Sequence, residues 1–336
     1  MTHSLRNPSR RGLLGALALA PAALAMPAIL GSGRAFADTA EPALTAPAGA
    51  VIRHRIGDIE VLALADGFGP VPTNILLGLE DDAARRAAAL AHKPHDPVNT
   101  IISINAYVIR TGGRTILVDA GAGNAMGPTL GALHNSLALA GIAAGDIDTV
   151  FLTHGHVDHV GGLTGPAGER LLPNAQLVAA EAEWAFTHDE AVFAAIPEAF
   201  RPSILASRAQ LAPYAGGREM LSMNKQTEIA PGVTAIPLPG HTPGHMGLEI
   251  ASNGASLVIW GDIVHAPAYQ FSHPDWSVAF DSDATTAIAS RTRMFDMAAT
   301  NDSMVAGMHL DFPALGYVER RGDAYRYVAA PPDFGA

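Results

Sequence analysis

The chain has 336 residues, 49% of them hydrophobic and 16% charged, with a formal net charge of −11, 14 histidines and no cysteine. That length and apolar content can bury a core in one large domain or two small ones, and the acidic balance works against nucleic acid and membrane-surface partners. Without cysteine no disulfide can form, and any metal site must be built from nitrogen and oxygen donors.

Residues 1–37 run from a basic patch with Arg10 and Arg11, through an Ala/Leu-rich stretch from Gly12 to Leu30, to Ala35-Phe36-Ala37. Basic, apolar and small-x-small segments in that order describe a signal peptide, and SRRGLL resembles the twin-arginine type. Pro21, Pro27 and the alanine richness make the apolar run a poor anchor. A periplasmic or secreted protein with no stable membrane anchor is therefore expected. Removing the segment takes four arginines and no carboxylate, which brings −11 to −15. Residues 38–50, rich in Ala, Pro and Thr, read as a flexible leader, and residues 51–336 as a single domain.

Along that domain a strand pattern at Ile59 to Ala65 is followed by a helix pattern at Asp81 to His92, then strands at Ala106 to Arg110 and Thr115 to Asp119. A helix at Thr129 to Ala140 leads to strands at Thr149 to Thr153 and Gln176 to Ala180, then helices at Glu181 to His188 and Ala191 to Ser207. Strands at Val233 to Leu238, Leu248 to Ala251 and Leu257 to Trp260, a helix at Asp283 to Ala299, a strand at Met304 to Ala306 and a hairpin from Gly316 to Val328 complete the chain. Clustered strands with helices between them imply layered α/β structure. Residues 67–104, with Pro70, Pro72, Pro94 and Pro97, read as a long irregular and helical insertion suited to a homodimer contact. Residues 181–226 carry Trp184, Phe186, Phe193, Phe200 and Tyr214. These aromatics read first as packing; any that face a cleft, Trp184 among them, would line an apolar substrate pocket.

The chemistry is concentrated at strand ends. THGHVDH at 153–159 places His154, His156, Asp158 and His159 within six positions, directly after Val150-Phe151-Leu152. His154 and His156, two apart on an extended segment, can converge on one ion, while Asp158 and His159 can point to a second. Three later strand ends add donors: LPGHTPGH brings His241, WGDIVH brings Asp262 and AGMHLDFP brings His309. Rigid strands can carry such distant loops to one place.

These residues carry a resemblance. HxHxDH at 154–159 with His241, Asp262 and His309 resembles the metallo-β-lactamase superfamily from about Val51 to Val328. GDIEVLALADG, LVDAGAG with GPTLGAL, THGHVDHVGGL, GHTPGH and AGMHLDFP are similar to its methyl parathion hydrolase group, adjacent to the acyl-homoserine lactonases. The resemblance implies a four-layer αβ/βα sandwich, two mixed sheets flanked by helices, with a binuclear site along one sheet edge. It implies one ion held by His154, His156 and His241, a second by Asp158, His159 and His309, and Asp262 reaching both. Zinc suits such donors, as do manganese, iron and cobalt. Asp119, in LVDAG, is the expected carboxylate partner of a ligating imidazole; His245 is read as another supporting residue, and His265 and Met126 as lining the pocket.

The reaction implied is attack of a metal-bridging hydroxide on an apolar ester or phosphotriester, with Asp158 orienting the nucleophile or moving its proton. A lactonase, including one that opens acyl-homoserine lactones, is the second reading. The chain lacks the G-x-S-x-G turn of serine esterases. Met126 stands where the methyl parathion hydrolase group tends to carry an aromatic, which weakens the case for an aryl phosphotriester. A mononuclear iron dioxygenase of the same fold would need fewer ligands than the seven here, and a non-catalytic binding protein would not need the full set.

Overall fold

The computed structural model describes residues 48–331; the signal segment and residues 38–47 of the leader lie outside the described residues. In chain order the strands are β1 (Ala50–Ile56), β2 (Ile59–Pro72), β3 (Leu76–Leu77), β4 (Asn99–Thr111), β5 (Arg114–Val118), β6 (Thr149–Phe151), β7 (Gln176–Ala180) and β8 (Glu219–Leu221). They continue as β9 (Thr227–Ala230), β10 (Val233–Pro237), β11 (Met246–Ser252), β12 (Ala255–Ile259), β13 (Ser277–Val278), β14 (Met304–Ala306), β15 (Leu315–Arg321) and β16 (Ala324–Ala329). The α-helices are α1 (Asp81–Leu90), α2 (Leu133–Leu139), α3 (Val157–Val160), α4 (Glu181–His188), α5 (Glu190–Ala195), α6 (Arg201–Leu211), α7 (Pro267–Gln270) and α8 (Ala284–Asn301).

Two seven-stranded sheets hold the chain together, in the orders β1-β2-β4-β5-β6-β7-β8 and β16-β15-β14-β12-β11-β10-β9. Both are mixed: β5 through β8 run parallel, as do β12 and β14, and the other neighbours are antiparallel. The central strands, such as β5, β6, β12 and β14, are mostly apolar because both faces are covered, while the outer β1, β15 and β16 carry charged, exposed positions. Val61, Ala63, Tyr107, Ile109, Ile116 and Val118 point into the layer shared with Val233, Leu248, Ile250, Leu257 and Val305. Their alternates Leu62, Leu64, Ala106, Val108 and Leu117 pack outward with Leu133 and Leu137 of α2. Helix α2 covers β1 and β2, and α8 covers β15, giving the expected sandwich of sheets flanked by helices. No described helix is long and apolar enough to cross a membrane.

Three expected elements differ. The 67–104 insertion is regular at both flanks, because β2 and β4 pair out to Pro72 and Asn99, and within 73–98 the short β3 pairs with β13 beside α1. The ladder slips between Ala65 and Gly67, and this bulge frees Asp66 to turn inward. Its buried carboxylate accepts the N–H groups of Ala122, Gly131 and Leu133, so residues 121–132 stay a loop and the helix expected from Thr129 starts only at Leu133. The helix expected over Ala191 to Ser207 is broken in two, since Pro197 cannot continue α5 and Pro202 sits in the first turn of α6.

Candidate metal centre

Every donor identified at a strand end arrives in one place. Strands β5, β6 and β7 run parallel with Val118, Phe151 and Val178 in register, so the loops that follow them leave from the same edge. His154 and His156 lie in the extended segment after β6, Asp158 and His159 in α3, and His241 in the turn after β10. The parallel pair β12 and β14 delivers Asp262 and His309 from the second sheet. His154, His156, His241 and Asp262 form one group of donor atoms within 4.8 Å of one another, Asp158, His159 and His309 form another, and Asp262 and His309 also form such a group with His265.

Asp262 joins the two groups. Its Oδ2 lies 3.6 Å from His154 Nε2, 3.4 Å from His241 Nε2 and 3.1 Å from His309 Nε2, and its Oδ1 lies 3.3 Å from His159 Nε2. Asp158 Oδ2 is 3.6 Å from His159 Nε2 and 3.5 Å from His309 Nε2. Gly261 places this carboxylate: its φ is +58°, and a Cβ there would stand 2.4 Å from His245 Nε2.

The tautomers fit a cation. His159 Nδ1 donates to Asp119 at 2.6 Å, His241 Nδ1 to Asp281 at 2.9 Å and His309 Nδ1 to the Ser103 carbonyl at 2.9 Å. In each neutral ring that leaves Nε2 with a lone pair aimed inward. His156 Nδ1 stands 2.9 Å from His154 Nε2 and 3.0 Å from His241 Nε2. Buried His159 Nε2 and Asp262 Oδ1 have no hydrogen-bond partner. Converging acceptors of this kind repel one another unless a cation lies among them, so the residues present suit two divalent ions. Burial, with neighbouring imidazoles adding to it, pushes His154 and His241 well below the usual histidine pKa and lowers His156 to about 4. Burial works against ionising His159 and His309 too, but the charges of Asp262 and Asp158 outweigh it and raise both. Asp262 itself is held well below the carboxylate range, the imidazoles overriding its burial.

Asp119 accepts from His159 Nδ1 and from both the backbone N–H and the hydroxyl of Thr153, while burial raises its pKa. His245 touches no inward-facing imidazole through a hydrogen bond. It accepts the Asp262 N–H at 2.9 Å and donates to the Leu238 carbonyl at 2.8 Å, bracing Asp262 through the backbone. His245→Ala is therefore expected to keep two ions and to lower stability by roughly 1–3 kcal/mol through the two groups it strands. Elemental analysis beside a denaturant titration checks this, and loss of an ion would make His245 part of the donor set.

His265 lies nearer the donors than a lining residue need be: its Nε2 is 3.1 Å from Asp262 Oδ2 and its ring stacks on His309. It also faces the pocket, as Met126 does. Trp184 does not. Its ring stacks on His188 and lies 4.1 Å beneath the Arg218 guanidinium, against the outer core. Two helical positions further on, about 200° around the axis, Phe186 takes the pocket side instead.

Sequence reasoning missed Asp281, Asn105 and Glu183. Asp281 has one visible signal, since in FDSD only Asp283 is used as the cap of α8. Asn105 looks like any strand residue, yet its side chain donates to the carbonyls of Met308 and Leu310 and so holds the His309 loop across the sandwich.

Residues 99–300 match the family model described as the metallo-beta-lactamase superfamily. Among solved structures, "hydrolase AbOPH in beta lactamase superfamily" is 27% identical, with a TM-score of 0.78 over 84% of this chain and 98% of that one. AidC, "a dizinc quorum-quenching lactonase" bound to a product, is 24% identical, with a TM-score of 0.78 over 84% and 98%. A probable metal-dependent hydrolase from Staphylococcus aureus is 23% identical, with a TM-score of 0.68 over 83% and 100%. Comparison with curated proteins finds no match.

Proposed function

The chain belongs to the metallo-beta-lactamase superfamily, and on that premise we propose that it is an exported, binuclear metal-dependent hydrolase of small, uncharged, largely apolar esters, carboxylic or phosphoric. The observation that carries the substrate class is the pocket beside the donors. It has a volume of about 350 Å³, its walls include Val71, Ile102, Phe186, Phe200, Ile204 and Phe280, and among the described residues no lysine or arginine lines it. A neutral substrate gains roughly 25 cal/mol per Å² of apolar surface buried against these walls, whereas an anionic group would find no basic side chain among the described lining residues to pair with.

When bound, two divalent ions, zinc being the metal proposed, supply Lewis acidity and a nucleophile derived from water at neutral pH. His154, His156 and His241 would hold one, Asp158, His159 and His309 the other, and Asp262 both. The carbonyl of Ser103 and the carboxylates of Asp119 and Asp281 keep three imidazoles turned inward. Asp158, with 14% of its side chain exposed, also lines the pocket and can pass a proton from the attacking water to the leaving oxygen. Phe186, Phe200 and Phe280 seat the apolar part of the substrate against this polar floor.

Lactone opening is the second reading, supported by the lactonase among the similar structures; a lactone is a small neutral ester, and its acyl chain fits the same aromatic wall. A panel of aryl esters, dialkyl aryl phosphotriesters and lactones, with metal content measured on the same sample, tests both. Two ions per chain are expected, with turnover of at least one class that stops on chelation and returns with divalent metal. A fully loaded sample inert across the panel would refute the proposal, and a lone iron per chain would favour a dioxygenase.

A further inference from the structure

Glu183, in α4, is 4% exposed and stands outside the donor groups. A carboxylate at that depth is costly unless its oxygens are met, and here its partners come from two loops. Oε1 accepts the Gly155 N–H at 2.8 Å and Oε2 accepts the Thr242 hydroxyl, with Gly244 packed against the same residue. Gly155 separates His154 from His156, and Thr242 follows His241. The loops spring from different sheets, one after β6 and the other after β10. The fit is close: a Cβ on Gly244 would lie 2.2 Å from the Glu183 nitrogen, and one on Gly155 would lie 2.8 Å from the Thr187 hydroxyl. Both loops are glycine where α4 presses against them. The other donor group has separate supports, Asp119 behind His159 and the Ser103 carbonyl behind His309.

We propose that Glu183 is a positioning residue that ties the two loops together, setting His154 and His156 against His241 and so fixing the affinity of the ion those three would hold. This rests on the two-ion reading of the site. Glu183→Gln keeps the side-chain volume but loses the charge that strengthens these bonds, and its amide N–H₂ can keep the Thr242 contact only if that hydroxyl turns round to accept. Metal-free protein, wild type and variant, is titrated with zinc against a competing chelator. The expected result is an ion bound about 10- to 100-fold more weakly at the first site, the scale typical of lost supporting hydrogen bonds, with the second ion little changed. Excess zinc should restore kcat with KM unaltered. Thr242→Val, which removes one bond, should weaken the same ion by about tenfold and decides the matter should the glutamine variant not fold. No change at either ion, or equal weakening of both, would overturn the clamp. Wild-type protein that binds no zinc would instead refute the two-ion reading itself.

Discussion

Asp262→Ala is expected to lose metal and to lower kcat/KM by about a thousandfold or more, the consequence of losing several kcal/mol of Lewis-acid stabilisation. The reason is its position. Asp262 lies within 3.6 Å of inward-facing nitrogens from both donor groups. Without it, five imidazoles from the two groups face one another with Asp158 as their one carboxylate. The fold should survive, since the bond from the residue 262 N–H to His245 does not involve the deleted side chain. Elemental analysis with steady-state kinetics reads the outcome, and a variant that kept both ions and its full rate would remove Asp262 from the bridging position.

Asp119→Asn should weaken the ion associated with Asp158, His159 and His309 by about 10- to 100-fold, with the other ion less affected. Asp119 has a φ of +58°, a conformation asparagine also tolerates, so the exchange alters the carboxylate and spares the backbone. The remaining oxygen can still accept the Thr153 N–H. The new amide N–H₂, however, meets His159 Nδ1–H where a carboxylate oxygen now accepts at 2.6 Å, and the ring loses the partner that turns Nε2 inward. A stepwise zinc titration resolves the two affinities; if neither moved, Asp119 would have a purely structural role.

The central strands were legible because they are buried on both faces, so runs such as Val61 to Leu64 and Leu257 to Ile259 stand out as apolar blocks, whereas their arrangement as a sandwich was implied by the family resemblance. The donor set was legible for a different reason: four coordinating side chains crowd into 154–159, and three later strand ends each add one more. What the sequence hid depends on tertiary contact. The Asp66 carboxylate, turned inward by a bulge, holds the 121–132 loop against helix formation, and nothing local to either segment shows it. Glu183 sits two residues from the start of an ordinary helix, and its partners lie 28 and 59 residues away. Trp184 and Phe186 are equal candidates for the pocket by composition; only the rotation of α4 separates them.

The two-ion account is tested most directly by anomalous diffraction from crystals of the purified protein, at the absorption edge of the metal that elemental analysis finds. It predicts two peaks, one enclosed by His154, His156 and His241 and the other by Asp158, His159 and His309, with Asp262 between them. A single peak, or peaks away from these side chains, would contradict it.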